Sequence, residues 1–264
     1  MSEFPAMGTS DGRCSAFPHR ADLSSVPAEF EAVHRAIEVG LAALPGMADR
    51  KESARHRAFL AEQFTLRACL SHARGGEAAP DLRESLRLFC EAVEGGHPPG
   101  PWDLWNFSLA ALATGDRRSL GFLMSVPDSR WIEPGNRTLL WLALQVLSLW
   151  ALATGRDTRA QRCLDSLYGA VFEKRQLPDA LKEEIPEIEN TYYLLDALRR
   201  NDAAELHRRL EERFVLRAES FRRNGQGSPL GFLDIPGLGL WGLARERGVD
   251  GKIRHAFLAP LPLR

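Results

Sequence analysis

Thr138-Leu-Leu-Trp-Leu-Ala-Leu-Gln-Val-Leu-Ser-Leu-Trp-Ala-Leu-Ala-Thr154 is the stretch that decides the fold, because the rest of the chain must be arranged to cover it. Between Leu139 and Ala153 only Gln145 and Ser148 are polar, so no solvent stripe can be drawn along a helix here. A helix apolar on nearly all sides is either a membrane span or the centre of a soluble core. A span needs about 20 apolar residues, and this run is shorter and closes on Thr154-Gly155-Arg156-Asp157. The expectation is a central buried helix, with Trp141 and Leu144 in the core.

The way that helix stops is repeated. Ala111-Leu-Ala-Thr-Gly-Asp116 and Ala151-Leu-Ala-Thr-Gly-Arg-Asp157 share one form, an apolar helix, a glycine stop and an aspartate start. Ala197-Leu-Arg-Arg-Asn-Asp202 repeats it with Asn in place of Gly, the next best residue for a left-handed helix end. The three copies begin at Ala111, Ala151 and Ala197, 40 and then 46 residues apart, a spacing that belongs to helix-hairpin repeats. After the second turn Ala160, Cys163, Leu164, Leu167, Tyr168 and Val171 form an amphipathic stripe, which places Cys163 on an apolar face as a reduced core thiol. After the third turn Leu206, Leu210, Phe214 and Phe221 do the same. Such short links make each helix pair antiparallel. Strand support is slight, because Val, Ile and Thr never alternate over four or more residues.

Upstream, Met1 to Arg20 is a Gly-, Ser- and Pro-rich stretch without period, expected to be a flexible N-terminal arm over residues 1–20. Residues 21–264 are expected to be a single all-helical domain. Ser25 with Pro27 starts a helix that Pro45-Gly46 stops, and Asp49 with Glu52 reads as a capping box for the next. A third helix starts around Pro80, Asp81 and Glu84 and ends at Gly95-Gly96, before the breaker His97-Pro-Pro-Gly-Pro101. Downstream, Asp234 to Gly248 reads as a short helix. Residues 253–263, too Pro-rich for a helix and too apolar for water, are expected to lie extended against the others. The fold class is therefore all-α, stacked antiparallel helix hairpins with an extended apolar C-terminal tail.

Composition agrees: 44% hydrophobic and 26% charged residues in 264 suit a globular protein. A formal net charge of −1 gives no reason to expect nucleic acid or an anionic membrane as partner. The four cysteines, Cys14, Cys69, Cys90 and Cys163, contain no C-x-x-C pair, and no signal-peptide pattern precedes Phe4-Pro5. The expected address is cytoplasmic, and the sequons at Asn106 and Asn136 are read as chance.

Several patterns imitate chemistry. Gly237-x-Gly239-x-x-Gly242 has the form of a dinucleotide fingerprint, but no strand precedes it, so it reads as small residues where a helix packs closely. Glu31-x-x-His34 has the spacing of half a di-iron site, yet its only match, Glu94-Gly-Gly-His97, falls on a helix stop. No hydrolase, zinc-protease or phosphate-loop motif occurs. No enzyme activity, cofactor or metal is expected. Two charged features remain. Asp179, Glu183, Glu184, Glu187 and Glu189 form an acidic bend, kinked by Pro186, that is either a solvated helix start or a partner contact. Arg199, Arg200, Arg208, Arg209, Arg213, Arg217, Arg222 and Arg223 crowd the third hairpin, where helical spacing to Glu205, Glu211, Glu212 and Glu219 makes a solvated face.

Trp102-x-x-Trp105 leading into Leu109-Ala-Ala-Leu-Ala-Thr-Gly-Asp116, then Leu120-x-x-Leu123 and Val126-Pro127, resembles the middle of the immunity protein 49 family. Gly239-Leu-Trp-Gly-Leu-Ala-Arg-Glu-Arg-Gly248, with Ile253 and Phe257-Leu-Ala-Pro260, resembles that family's ending. The resemblance implies an all-α protein without enzymatic activity, which binds a cognate toxin of a polymorphic toxin system and so protects its producer. It offers no catalytic residues. The alternative expectation is a helical-repeat scaffold of the tetratricopeptide type that binds a peptide. For the first of these, the acidic residues from Asp179 to Glu189 are the expected toxin contact, since carboxylates suit a basic cleft.

Overall fold

Three turns of one design shape the second half of the chain. Gly115 and Gly155 both take φ 70° and Asn201 takes φ 54°, the left-handed conformation that ends a helix. In each turn the N–H just after the left-handed residue reaches back five residues: Asp116 to the Ala111 carbonyl at 2.9 Å, Arg156 to Ala151 at 2.8 Å, Asp202 to Ala197 at 2.9 Å. The next helix starts at once. Asp116 accepts from the Ser119 N–H and Asp202 from the Glu205 N–H, both at 3.0 Å, which satisfies an orphan donor of each new helix. Arg156 is an extra residue in the middle turn. It pushes Asp157 into the first turn of its helix and frees that carboxylate for another partner.

The structure, a computed structural model, describes residues 25–132, 139–173, 185–223 and 229–249. Among these residues there are ten α-helices and no strand: α1 Val26–Ala43, α2 Arg50–Ala73, α3 Ala79–Glu94, α4 Pro101–Thr114, α5 Arg117–Met124, α6 Leu140–Ala153, α7 Asp157–Tyr168, α8 Ile185–Arg200, α9 Ala203–Arg223 and α10 Ile235–Glu246. The main packed pairs are α2 with α3, α6 with α7, α8 with α9, and α4 with α10. One continuous apolar core runs from Val26 to Val249. The arm at 1–20 and the tail at 253–263 lie outside the described residues. No helix among the described residues is long and apolar enough to cross a membrane.

Local chemistry explains most helix starts. Asp49 caps α2 through the Lys51 N–H at 2.8 Å, whereas Ser25 makes no side-chain cap on α1 and leaves that start to Pro27. Pro101, read as part of the breaker, is itself the first residue of α4, and the Gly100 N–H donates to Asp103 Oδ2 at 2.7 Å. Pro186 is the second described residue of α8, and the expected bend upstream of it, residues 179–184, lies outside the described residues.

The central helix α6 needs a correction. Trp141 is buried, but Leu144 is only half-buried and Leu140 is 39% exposed. Together with half-buried Leu147 they form the outer stripe, while Gln145 and Ser148 point inward. Ser148 is tolerated because its Oγ donates to the Leu144 carbonyl at 2.7 Å within its own helix, whereas Gln145 Nε2 is buried without a hydrogen-bond partner among the described residues. Beside it Trp150 Nε1 donates to buried Ser108 Oγ of α4 at 2.8 Å. Cys163 is likewise half-buried; the core thiol is Cys69, fully buried, with its pKa pushed up by burial to about 12.

Helix α10 lies against α4 at glycines. A Cβ on Gly239 would sit 2.7 Å from the Leu109 Cα, and one on Gly242 would sit 2.5 Å from the Leu112 oxygen. Both contacts advance by three residues in the same sense, so the two helices run parallel and touch backbone to backbone. At the far end of α10, Glu246 pairs with Arg117 beyond the first turn. Its neighbour Arg247 donates to the Leu152 carbonyl of α6 and the Leu198 carbonyl of α8, each at 3.1 Å, and to the freed Asp157 carboxylate at 3.0 Å. All three turns are tied to the end of one helix.

Candidate functional site

The acidic residues singled out in the sequence divide. Asp179, Glu183 and Glu184 lie outside the described residues. Glu187 and Glu189 stand in the first turns of α8 and are half-buried. Glu187 acts inward, because its charge helps hold the Arg213 guanidinium ionised against the penalty of burial. Glu189 falls at i, i+3, i+4 and i+7 with Tyr192, Tyr193 and Asp196, on one face of α8.

That face is aromatic. Helix α7 runs on into a π-helical turn, Gly169–Glu173, and the wider turn sets Phe172 beside Tyr168. The rings of Tyr168 and Phe172 lie 5.4 Å apart, Tyr168 and Tyr192 5.7 Å, and Phe172 and Tyr192 5.8 Å, centre to centre. Rings this close pack on one another and leave no cage for a ligand between them. They present a rigid surface instead, with Tyr168 41% exposed. Burial raises the Tyr192 pKa first, and the charges of Asp196 and Asp165 add to it. Arg209 stacks on the Tyr193 ring at 3.9 Å and fixes the inner edge.

The arginine-rich hairpin is mostly the solvated face expected of it. Arg199 and Arg200 pair with Asp196 at 2.9 and 3.0 Å, and Arg208 and Arg209 with Glu205 at 2.7 and 2.9 Å. The side chains of Arg222 and Arg223 lie outside the description, and two of the described members are different. Arg213 is 6% exposed and forks onto fully buried Asp234 with two 2.8 Å bonds. Arg217 donates to the Leu230 carbonyl at 2.6 Å and stands 3.9 Å from Asp234. Burial alone would raise the Asp234 pKa, but the Arg213 and Arg217 charges override it and hold the carboxyl below its ordinary range. Gly237 lies against that carboxylate, and a Cβ there would stand 2.9 Å from its Cγ. The first glycine of the apparent fingerprint therefore serves an ion pair, and the other two serve helix packing.

A second feature was not legible in the sequence. Between α2 and α4 an open groove of about 410 Å³ is floored by Leu66, Phe107, Leu233 and Ile235 and walled by the Pro229–Phe232 turn. Glu62 of α2 and Asp103 of α4 face it from its two sides. Burial raises the Glu62 pKa first and the Asp103 charge raises it further, opposed by His97. No described cation forms an ion pair with either carboxylate. The two lie 41 positions apart (62 to 103) in helices that read as ordinary, and each alone looks like surface acid.

Among the described residues no three His, Cys, Asp or Glu side chains gather as a metal would require. His34 of the Glu31–His34 pair is engaged by Arg67 at 3.0 Å and Glu38 at 3.4 Å. Compared with known proteins, the chain matches no family model, no curated protein and no solved structure.

Proposed function

We propose that this chain is an immunity protein, which neutralises a cognate toxin of a bacterial polymorphic toxin system by forming a stoichiometric complex. The carrying observation is the α7–α8 face, where Tyr168, Phe172 and Tyr192 pack into an aromatic surface, with Glu189 on the same side of α8 as Tyr192. Tyrosines of this kind are favoured anchors of protein interfaces, because they offer large area for little lost side-chain freedom. Carboxylates around them steer and hold a basic partner. A toxin that cuts nucleic acid carries such a basic cleft. The sequence resemblance over 102–127 and 239–260 supports the same reading. On it the protein acts by occupancy and turns over no substrate.

The test is binding of the toxin encoded beside the gene, by wild type and by a Tyr192→Ala, Glu189→Lys double variant. Wild type is expected to protect cells and to bind one to one, and the variant to lose at least tenfold in affinity, about 1.4 kcal/mol or more. An unaltered affinity in a folded variant moves the contact elsewhere; wild type that binds no neighbouring toxin ends the proposal.

The second reading, a peptide-binding repeat scaffold, is favoured by one observation, the open groove between α2 and α4.

A further inference from the structure

We propose that the groove between α2 and α4 receives an arginine or lysine side chain, presented between apolar residues on an extended segment of a partner protein. The proposal rests on the second reading alone and makes no use of the α7–α8 face.

Shape and charge point to the same occupant. The floor at Leu66 and Phe107 and the exposed wall residue Leu230 are apolar, which suits the methylene stem of a long basic side chain and an apolar neighbour on either side of it. A volume of about 410 Å³ is at the lower end for ligand sites and holds a few side chains rather than a folded element. Glu62 and Asp103 line the groove from two helices, α2 and α4. The Asp103 charge makes ionisation of Glu62 harder, so a cation placed beside them relieves a repulsion that is already present.

Among the described lining residues the basic one is Arg217, whose Nη2 donates to the Leu230 and Leu233 carbonyls, at 2.6 and 3.5 Å, while its Nε faces Asp234 at 3.9 Å. Turning it toward Glu62 would strand those carbonyls. Asp103 is held in place as well, because its Oδ2 accepts from the Gly100 N–H at the start of α4. One carboxylate is therefore fixed by a helix cap, while Glu62, exposed on α2, is free to close over an incoming group. Asn106, one turn along α4 from Asp103, adds an amide that can pair with the backbone of an extended segment.

The test uses the full chain and two synthetic peptides, acetyl-Leu-Arg-Leu-amide and its neutral counterpart with citrulline in place of arginine. Amide shifts in the NMR spectrum report where each binds. The expected result is saturable shifts at Glu62, Asp103 and Phe107 with the arginine peptide, and at least tenfold weaker binding of the citrulline peptide. Glu62→Gln is expected to weaken the arginine peptide to a similar degree, and Leu230→Ala to weaken both peptides alike. Equal binding of the two peptides, shifts confined to other surfaces, or no saturable shift at all would each overturn the proposal. None of these results touches toxin binding through α7 and α8, so the two ideas fail separately.

Discussion

Helix α10 meets α4 and helix α9 meets α8, and the two contacts are held by different physics. At α4–α10 the glycines Gly239 and Gly242 let backbone touch backbone, and the entry to α10 is pinned by the buried Arg213–Asp234 pair. Along α8 and α9 the exposed ion pairs lie within each helix, Asp196 with Arg199 and Arg200 in α8 and Glu205 with Arg208 and Arg209 in α9, so they stiffen each helix rather than join the two. A buried polar link across that hairpin is Asn190, which donates to the Arg209 carbonyl at 2.9 Å. A contact closed by shape has no room for one more atom, while helices dressed with their own surface ions tolerate substitution there and answer to pH and salt.

The largest expected effect separates the two at once. Asp234→Ala leaves Arg213 buried without its counter-ion and should cost about 3–5 kcal/mol, measured by urea unfolding. Asp234→Leu combined with Arg213→Met should recover most of that loss; if it does not, the pin does more than balance charge. Next, α6 provides the reference for ordinary packing. Leu149→Ala, at a fully buried site, should cost about 2–5 kcal/mol, and Leu144→Ala on the outer stripe clearly less. Equal losses would mean that the outer stripe is covered. Gly239→Ala should then cost about 1–3 kcal/mol by forcing α10 off the Leu109 backbone, and an unchanged midpoint would show that the helices yield. The smallest effect belongs to α9. Hydrogen bonds from Arg208 and Arg209 hold the Glu205 pKa down to about 2. A lowered carboxyl pKa adds stability above the ordinary value near 4.5, and that stability is lost as pH falls toward 2. The contribution should stay under about 1 kcal/mol, as for other exposed pairs. Comparing wild type with Glu205→Gln from pH 6 to pH 2 checks it: the difference should vanish in acid and shrink in high salt.

The turns were legible because their chemistry is local: a left-handed Gly or Asn and a capping Asp announce themselves within six residues. So were the all-α class and the packing role of Gly239 and Gly242. The outer stripe of α6 was not legible, because a run of leucines carries no mark of which side faces out. Here the rule that polar residues face water failed, as Gln145 and Ser148 point into the core. Arg213 and Arg217 read as members of a solvated crowd because their partner, Asp234, stands 21 and 17 positions away and belongs to another helix start. The α7–α8 face was half visible: Glu189 was marked by charge and Tyr168 by the stripe of α7, while Phe172 joined them through a π-helical turn that no residue pattern announced. The groove was invisible for the same reason as the ion pair, since Glu62 and Asp103 meet only through tertiary packing.

Arg247 carries one further consequence. The C-terminal end of an α-helix has the field of roughly half a negative charge, and α6 and α8 both bring that end to this guanidinium. Two half charges of one sign repel, so the ends of the second and third hairpins would drift apart if left alone. One guanidinium supplies about the single positive unit that cancels them, and its planar fork reaches both carbonyls while the remaining nitrogen takes Asp157. The residue that caps α10 thus acts as the counter-ion for the ends of two earlier helices, and Asp157 adds a full negative charge to the same guanidinium. A lysine at this position would restore the charge but not the fork, and could hold one helix end only by releasing the other.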